Sequence, residues 1–112
     1  MNIDTDYWEA MVRDYEVDFQ GIVNNANYYH YLDHARYLFF LKRNIDLKVF
    51  AANGINVVLV SSNVIFKSSL KLGDTFIVKT QLSKLSRIRL CFKQEVYSLD
   101  KNKEKLCLTS EN

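Results

Sequence analysis

The residues best suited to chemistry lie in one stretch, in which a carboxylate, a glycine turn and a helix start follow each other closely. Asp18 stands three residues before Gly21, and Asn24 or Asn25 is a good cap for the helical run that follows. Unpaired N–H groups at a helix start can stabilise negative charge, and a carboxylate can attack a carbonyl or activate water. The stretch therefore predicts a site that binds a carbonyl group and attacks it.

Each of these residues also has a structural interpretation that needs no substrate. Asp at the start of an Asp-x-x-Gly segment is common in turns, and Gly21 supplies backbone freedom. Asn24 and Asn25 act first as helix caps. On spacing alone, Asp18 is more often a turn residue than a catalytic one.

A pair of histidines suggests a second kind of site. His30 and His34 are one helical turn apart with Asp33 between them, which is close to the H-x-x-E-H pattern of one class of zinc proteases. Asp replaces the Glu of that pattern, and no third ligand follows at a typical spacing. The two histidines are therefore interpreted as exposed helix residues rather than zinc ligands, and the sequence predicts no metal site.

The elements around these residues are predicted from periodicity. Residues 7–17 are rich in aromatic and β-branched types and predict a strand, and residues 18–23 predict a turn. From Ala26 the apolar positions recur at helical spacing and predict a helix of about 17 residues with one broad apolar face. That face comprises Tyr28, Tyr31, Leu32, Ala35, Leu38, Phe39 and Leu41. Asp33 and Arg36 are expected to form an ion pair, since they are three residues apart.

The second half of the chain predicts mainly β structure. After a short helical piece at 46–52, strands are predicted at 56–66, 75–82, 87–97 and 104–110. The first of these is almost continuously apolar, which is typical of a strand buried on both faces, and Leu72-Gly73-Asp74 predicts a turn before the second. The order β, helix, then four strands predicts an α+β domain, in which one helix packs on a curved antiparallel sheet. The last strand is predicted to be cut short, which would leave an exposed sheet edge.

Composition limits the class of protein. The chain has 112 residues, of which 48% are hydrophobic, and it shows no linker, so one domain spanning 1–112 is predicted. An aromatic content of 13% suggests apolar surface that meets a partner subunit or an apolar ligand. Fifteen Lys and Arg against thirteen Asp and Glu give a net charge of +2, which is too small for a dedicated nucleic-acid-binding protein.

Cysteine usage and the N-terminus indicate the compartment. Cys91 and Cys107 lack metal or redox spacing and are interpreted as free thiols in a reducing cytosol. The N-terminus has neither the basic nor the apolar segment of a signal peptide, and no apolar run approaches the roughly 20 residues of a membrane span. The sequence therefore predicts a cytoplasmic protein without a membrane partner.

Two motifs together resemble one known family. They are Val12-Arg13-x-x-x-x-Asp18-x-x-Gly21-x-Val23-Asn24-Asn25-Ala26-x-Tyr28 and Leu32-Asp33-x-Ala35-Arg36. With the predicted element order, roughly residues 8 to 110 resemble the hotdog-fold acyl-CoA thioesterases of the 4-hydroxybenzoyl-CoA thioesterase type. The resemblance implies the hotdog fold, a curved antiparallel sheet of about five strands wrapped around one long helix. It also implies a homodimer with its sheets joined edge to edge, or a homotetramer, and an active site at the dimer interface.

The resemblance further implies the reaction and its residues. An acyl-CoA would be hydrolysed to a carboxylic acid and CoA, without a metal or redox cofactor. Asp18 matches the family's catalytic aspartate. The backbone donors and positioning residues that match are Gly21, Val23, Asn24 and Asn25. Tyr28 and Tyr29 are candidates for an acyl pocket or for ordinary core packing, and Lys67, Arg87 and Arg89 are candidates for the CoA phosphates or for a solvated strand face.

The chain departs from the family pattern in two places, the short C-terminal strand and the segment after Phe66. Residues Lys67-Ser68-Ser69-Leu70 stand where many relatives carry a proline-containing turn, which affects details of CoA binding.

Other functions remain open. One alternative is a module of the same fold that binds acyl thioesters without turnover. Others are a thioesterase for acyl carrier protein and a dehydratase, although a dehydratase usually depends on a catalytic His, and both histidines here lie within the helix.

Overall fold

A long helix and an antiparallel sheet make up the fold. The computed structural model of the chain describes residues 3–43, 52, 63–84, 90–100 and 103–111. The elements in these ranges are, in chain order, β1 (Ile3–Met11), a 3-10 turn (Asp14–Glu16), α1 (Asn25–Lys42), β2 (Asn63–Phe66), β3 (Thr75–Lys84), β4 (Leu90–Asp100) and β5 (Lys103–Glu111). The strands form one five-stranded sheet in the order β1-β3-β4-β5-β2, so β1 and β2 are its edges. The predicted α+β class is confirmed.

The centre of the sheet is an antiparallel meander of β3, β4 and β5. Val78 of β3 pairs with Val96 of β4, which pairs in turn with Leu108 of β5. All three side chains are fully buried, so this row belongs to the sheet face that packs in the core. A register shift follows Val96 in the β4–β5 ladder. Such a bulge increases the local twist and so helps to curve the sheet.

Helix α1 begins where the sequence predicts. Asn24 is the N-cap, and its side chain accepts a hydrogen bond from the N–H of Asn27 (3.1 Å). The predicted core positions Tyr28, Tyr31, Leu32, Ala35 and Phe39 are buried. Leu41 was also assigned to this face, and that assignment is wrong, because its side chain is 53% exposed. It lies about 200° around the helix axis from Phe39 and therefore points away from the sheet.

The first strand ends earlier than predicted. Residues 7–17 were expected to form a strand, but β1 ends at Met11 and a 3-10 turn follows. The N–H of Val12 donates to the carbonyl of Asp74 (2.8 Å), and the N–H of Arg13 donates to the carboxylate of Glu16 (2.8 Å). The Val12–Asp74 bond continues the β1–β3 pairing by one position, and the bond between Arg13 and Glu16 then turns the chain out of the sheet, although the aromatic and β-branched pattern continues.

A row of three polar side chains is buried in the sheet, namely Thr80, Gln94 and Ser110. Gln94 of β4 is fully buried. Its amide accepts a hydrogen bond from Arg36 (2.8 Å) and donates to the carbonyl of Leu32 (3.0 Å) and the hydroxyl of Thr80 (3.1 Å). These bonds satisfy the buried amide and join α1 to the sheet. The predicted ion pair between Asp33 and Arg36 is confirmed, at 2.8 Å.

The remaining predictions on the elements have mixed outcomes. The turn at Leu72-Gly73-Asp74 is confirmed, since the N–H of Asp74 donates to the carbonyl of Lys71 (3.0 Å) and Gly73 has a φ of 83°. Most of the predicted helical piece at 46–52 and the 56–62 part of the predicted strand lie outside the described residues. The truncation of the last strand stays a prediction. No helix in the described ranges is both long enough and apolar enough to cross a membrane.

Candidate active site

Asp18 lies at the start of a tight hairpin loop. Its N–H donates to the carbonyl of Ile22 (3.0 Å), and its carbonyl accepts from the N–H of Gly21 (3.0 Å). Gly21 has a φ of 74°, which fits a type I turn followed by a left-handed residue. Oδ1 of Asp18 accepts from the N–H groups of Gln20 (2.9 Å) and Ile22 (3.3 Å). The Asp18 side chain thus also stabilises its own turn, while the residue remains exposed.

The arms of this hairpin are held by the neighbouring chain. Val17 and Val23 form an antiparallel bridge, and Ile22 forms another with Lys71. The N–H of Val23 donates to the carbonyl of Leu70 (2.9 Å). Val23 and Leu70 are both buried, so the loop that carries Asp18 is anchored to the core.

Helix α1 begins two residues after Val23 and presents free backbone donors. The first N–H groups of a helix have no acceptor within it, which applies here to Asn25 and Ala26. The third, from Asn27, is used by the Asn24 side chain. Asn24, Asn25 and Ala26 are exposed, so this end of the helix can donate to a bound anion or a polarised carbonyl.

The four predicted backbone positions are therefore not equivalent. The N–H of Gly21 is bonded to Asp18, and the N–H of Val23 is bonded to Leu70. These two groups hold the loop rather than face a substrate. Asn24 shapes the helix start through its cap, which leaves Asn25 as the predicted residue whose N–H is suited to bind a ligand.

The two tyrosines proposed for an acyl pocket have different environments. Tyr28 is buried, and its hydroxyl accepts a hydrogen bond from the N–H of Leu70 (2.7 Å), so it holds the fold together. Tyr29 is 48% exposed, and its ring lies 6.5 Å from that of Phe66, which is 40% exposed. Sequence reasoning missed Phe66 as a surface residue, because its strand was interpreted as buried on both faces.

The predicted phosphate contacts are only partly described. Lys67 is exposed, and its N–H donates to the carbonyl of Cys107 (2.8 Å) in β5. Arg87 and Arg89 lie outside the described residues. Lys71 is a further exposed cation that sequence reasoning missed, and its backbone is bridged to the Asp18 hairpin.

The histidine pair has no metal-binding companions in the part of the chain that the structure describes. His30 and His34 are exposed on α1, and the ring of His34 lies 4.7 Å from that of Trp8. No group of three or more His, Cys, Asp or Glu side chains in the described ranges could hold a metal ion.

A buried carboxylate near the site was also missed by sequence reasoning. Glu16 is 5% exposed, and its carboxylate accepts from the N–H (2.8 Å) and the guanidinium (3.0 Å) of Arg13. Burial alone would raise the pKa of Glu16, but the hydrogen bonds from Arg13 outweigh it and hold the pKa of that carboxyl below its usual value. The only signal in the sequence was the position of Glu16 three residues after Arg13, a spacing typical of capping pairs.

Solved structures share this fold. The 1,4-dihydroxy-2-naphthoyl-CoA thioesterase of Synechocystis superposes with a TM-score of 0.87 at 18% identity, over 96% of this chain and 78% of that one. An aspartate-to-asparagine mutant of 4-hydroxybenzoyl-CoA thioesterase, solved in complex with 4-hydroxybenzoyl-CoA, superposes with a TM-score of 0.86 at 18% identity, over 96% and 79% of the two chains. The predicted hotdog fold is thus confirmed.

Sequence comparison gives the family. A chloroplastic acyl-acyl carrier protein thioesterase of Arabidopsis thaliana is 35% identical over 91 residues, which are 81% of this chain and 48% of that protein. The chain thus spans about half the length of this relative. The family model described as Thioesterase-like superfamily matches residues 12–112. Because this match covers almost the whole sequence, the chain belongs to the thioesterase-like superfamily.

Proposed function

We propose that the chain hydrolyses acyl-CoA thioesters, with Asp18 as the reacting carboxylate and the start of α1 as the donor to the thioester carbonyl. One observation carries this proposal. The hairpin between Asp18 and the helix is bridged at Val17 and Val23 and bonded to buried Leu70. The carboxylate and the N–H of Asn25 therefore belong to one anchored unit, as a preorganised site requires.

The chemistry can follow two routes from this arrangement. In the first, the Asp18 carboxylate attacks the carbonyl carbon, the C–S bond breaks to release CoA as its thiolate, and water hydrolyses the resulting mixed anhydride. In the second, Asp18 takes a proton from water as that water attacks the carbonyl, and the C–S bond then breaks to release the CoA thiolate, which takes up the proton held by Asp18. Negative charge develops on the carbonyl oxygen in both routes. Loss of one donor to such an oxygen typically costs about 2.7–4 kcal/mol, which is the role proposed for the N–H groups of Asn25 and Ala26.

The surface around the site offers contacts for an acyl-CoA. We assign the acyl group to the exposed rings of Tyr29 and Phe66, which lie 6.5 Å apart. Lys67 and Lys71 are exposed cations next to the segment that contacts the Asp18 hairpin, and they suit the phosphates of CoA. Arg87 and Arg89 have the same proposed role on sequence grounds alone, as charged residues of a predicted strand. The similarity to an enzyme named for acyl carrier protein makes that carrier the alternative to CoA.

We further propose that the chain acts as a homodimer or homotetramer joined through β2. This edge strand exposes Ile65 (54%), and a second copy paired with it would cover that side chain. At the other edge, Lys42 of α1 bonds to the carboxylate of Asp6 (3.2 Å) and the carbonyl of Tyr7 (3.4 Å), which protects β1. A monomer by light scattering would contradict this assembly. The cytoplasmic location stays a prediction of the sequence.

Substitution of Asp18 tests the catalytic proposal. Asp18→Asn keeps an oxygen that can accept from Gln20 and Ile22, so the loop should be preserved while the reacting carboxylate is lost. We expect kcat for acyl-CoA hydrolysis to fall by about 100-fold or more. Asp14→Asn is the matched control, because Asp14 is also exposed and also accepts from a neighbouring N–H (2.9 Å). Full activity of Asp18→Asn would rule out this role for Asp18.

The assay also separates the alternative class of function. A panel of acyl-CoA and acyl-acyl carrier protein substrates, with aromatic, short and long acyl groups, is offered to the unsubstituted protein. Hydrolysis of any member supports the enzyme and identifies its carrier. Measurable binding of acyl thioesters without turnover of any member would instead indicate a binding module.

A further inference from the structure

We propose that Asn27 and Glu16 form a clamp that positions the start of α1 against the loop of Asp18. This inference rests on the proposed hydrolase function, since it assigns these residues to the placement of the two reacting parts of that site. Neither residue is proposed to touch the substrate. Both act through the backbone groups that they hold.

The first half of the clamp is the side chain of Asn27. Its Nδ2 donates to the backbone carbonyl of Glu16 at 2.7 Å, across eleven positions in sequence. The N–H of Asn27 is bonded to the side chain of Asn24 at 3.1 Å. Asn27 thus uses its side chain to fix the helix start to the 3-10 turn and its N–H to complete the cap. Asn25 and Ala26 remain as the free donors.

The second half of the clamp is the turn that the Glu16 side chain closes. Its carboxylate is bonded to both the N–H and the guanidinium of Arg13, so the carbonyl that Asn27 contacts belongs to a closed turn. Val17 follows directly and is bridged to Val23, and Asp18 comes next. The helix start is therefore tied to a backbone atom only two residues before the reacting carboxylate.

The next turn of the helix carries a buried hydroxyl, that of Tyr31. Tyr31 lies four residues after Asn27 and is 2% exposed, and its hydroxyl has no hydrogen-bond partner among the described residues. Burial raises the pKa of Tyr31, and the nearby charge of Glu16 raises it further. The Tyr31 hydroxyl therefore stays protonated in the field of the Glu16 carboxylate.

The consequence for catalysis is geometric. The attacking atom and the oxyanion donors lie at the two ends of the hairpin between Asp18 and Asn25, and the Asn27–Glu16 bond is a second tie that sets their spacing. A misplacement of about 1 Å in such an arrangement can cost on the order of 100-fold in rate. Loss of the clamp should therefore lower kcat much more than it changes substrate binding.

Two substitutions of Asn27 test the clamp. Asn27→Ala and Asn27→Asp both remove the donor to Glu16, and they differ in charge. Asp in the first helical turn is favourable to the helix itself, so Asn27→Asp should not weaken α1. The control is His30→Ala, at an exposed position one turn later on the same helix. Each protein is assayed for kcat and KM with the acyl-CoA that the unsubstituted protein hydrolyses, and its thermal unfolding is followed in parallel.

The clamp predicts a fall in kcat on the order of 100-fold in both Asn27 variants, with KM within about threefold and His30→Ala at the unsubstituted level. It is wrong if either variant keeps the unsubstituted kcat, or if activity falls only as far as the folded fraction does. In those cases hydrolysis by the unsubstituted protein still supports the proposed function. If the unsubstituted protein hydrolyses no thioester, the proposed function fails, and the clamp fails with it.

Discussion

Removal of a single hydroxyl tests how the site is anchored to the core. The hydroxyl of Tyr28 accepts a hydrogen bond from the N–H of Leu70 at 2.7 Å. Tyr28 is 2% exposed and Leu70 is fully buried, so water cannot replace this acceptor without local opening. The carbonyl of Leu70 in turn accepts from Val23, which lies between the Asp18 hairpin and α1. Tyr28→Phe therefore removes a link between helix, core and site.

The magnitude follows from the buried donor that the substitution leaves behind. The Phe ring fills the same space, so no cavity is created, and the loss is that of one satisfied N–H group. An unsatisfied buried donor costs about 1–3 kcal/mol. For a domain of roughly 100 residues, each kcal/mol corresponds to a shift in Tm of about 4–6 °C.

Denaturation in urea measures this loss, with the fluorescence of Trp8 as the probe. Trp8 is the single tryptophan of the chain, and its ring packs 5.5 Å from that of Phe76 in the core. Tyr29→Phe is the matched control, because it removes the same atom from the adjacent, half-exposed tyrosine. Its free energy of unfolding should stay within about 0.5 kcal/mol of the unsubstituted value. All proteins are compared at one concentration, since self-association would make stability depend on it.

The reasoning is refuted if Tyr28→Phe and Tyr29→Phe unfold at the same urea concentration with the same slope. If both variants also match the unsubstituted protein, the Leu70 N–H finds another partner or its bond to Tyr28 is not formed in solution. A loss of similar size in both variants would point to a general effect of removing a tyrosine hydroxyl.

Two further predictions concern the turn residues around the site. Gly21→Ala should destabilise the fold by about 1–2 kcal/mol, because the φ of 74° is strained for Ala. Steric clash does not contribute, since an added Cβ would meet no atom within 4 Å. Gly21→Asn should cost less, and equal urea midpoints for both variants and the unsubstituted protein would contradict this. The folded pKa of Glu16 lies below its unfolded value, so its ionised form stabilises the fold at neutral pH, and this contribution is lost as the pH falls through the folded pKa. Arg13→Ala should therefore differ most from the unsubstituted protein near pH 7 and least near pH 3, whereas a constant difference in unfolding free energy would exclude the mechanism.

Local patterns predicted those parts of the fold that depend on neighbouring residues. The start of α1 at Asn24, its buried positions and the turn at Gly73 each follow from spacing within a few residues. The end of β1 did not follow in this way. It depends on where the partner strand begins, because Met11 pairs with Thr75, the first residue of β3, and no pattern near Met11 contains that partner.

The same distinction applies to the candidate site. The sequence by itself determined which residue types are present: a carboxylate, a left-handed glycine and a capped helix start, all within eight residues. Only the tertiary structure decided their separate roles. It bonded the N–H groups of Gly21 and Val23 inside the fold, buried Tyr28 while Tyr29 stayed exposed, and joined Asn27 to Glu16. The physical reason is that burial and hydrogen-bond partners are set by contacts between distant segments, whereas turns and caps are set by the residues next to them.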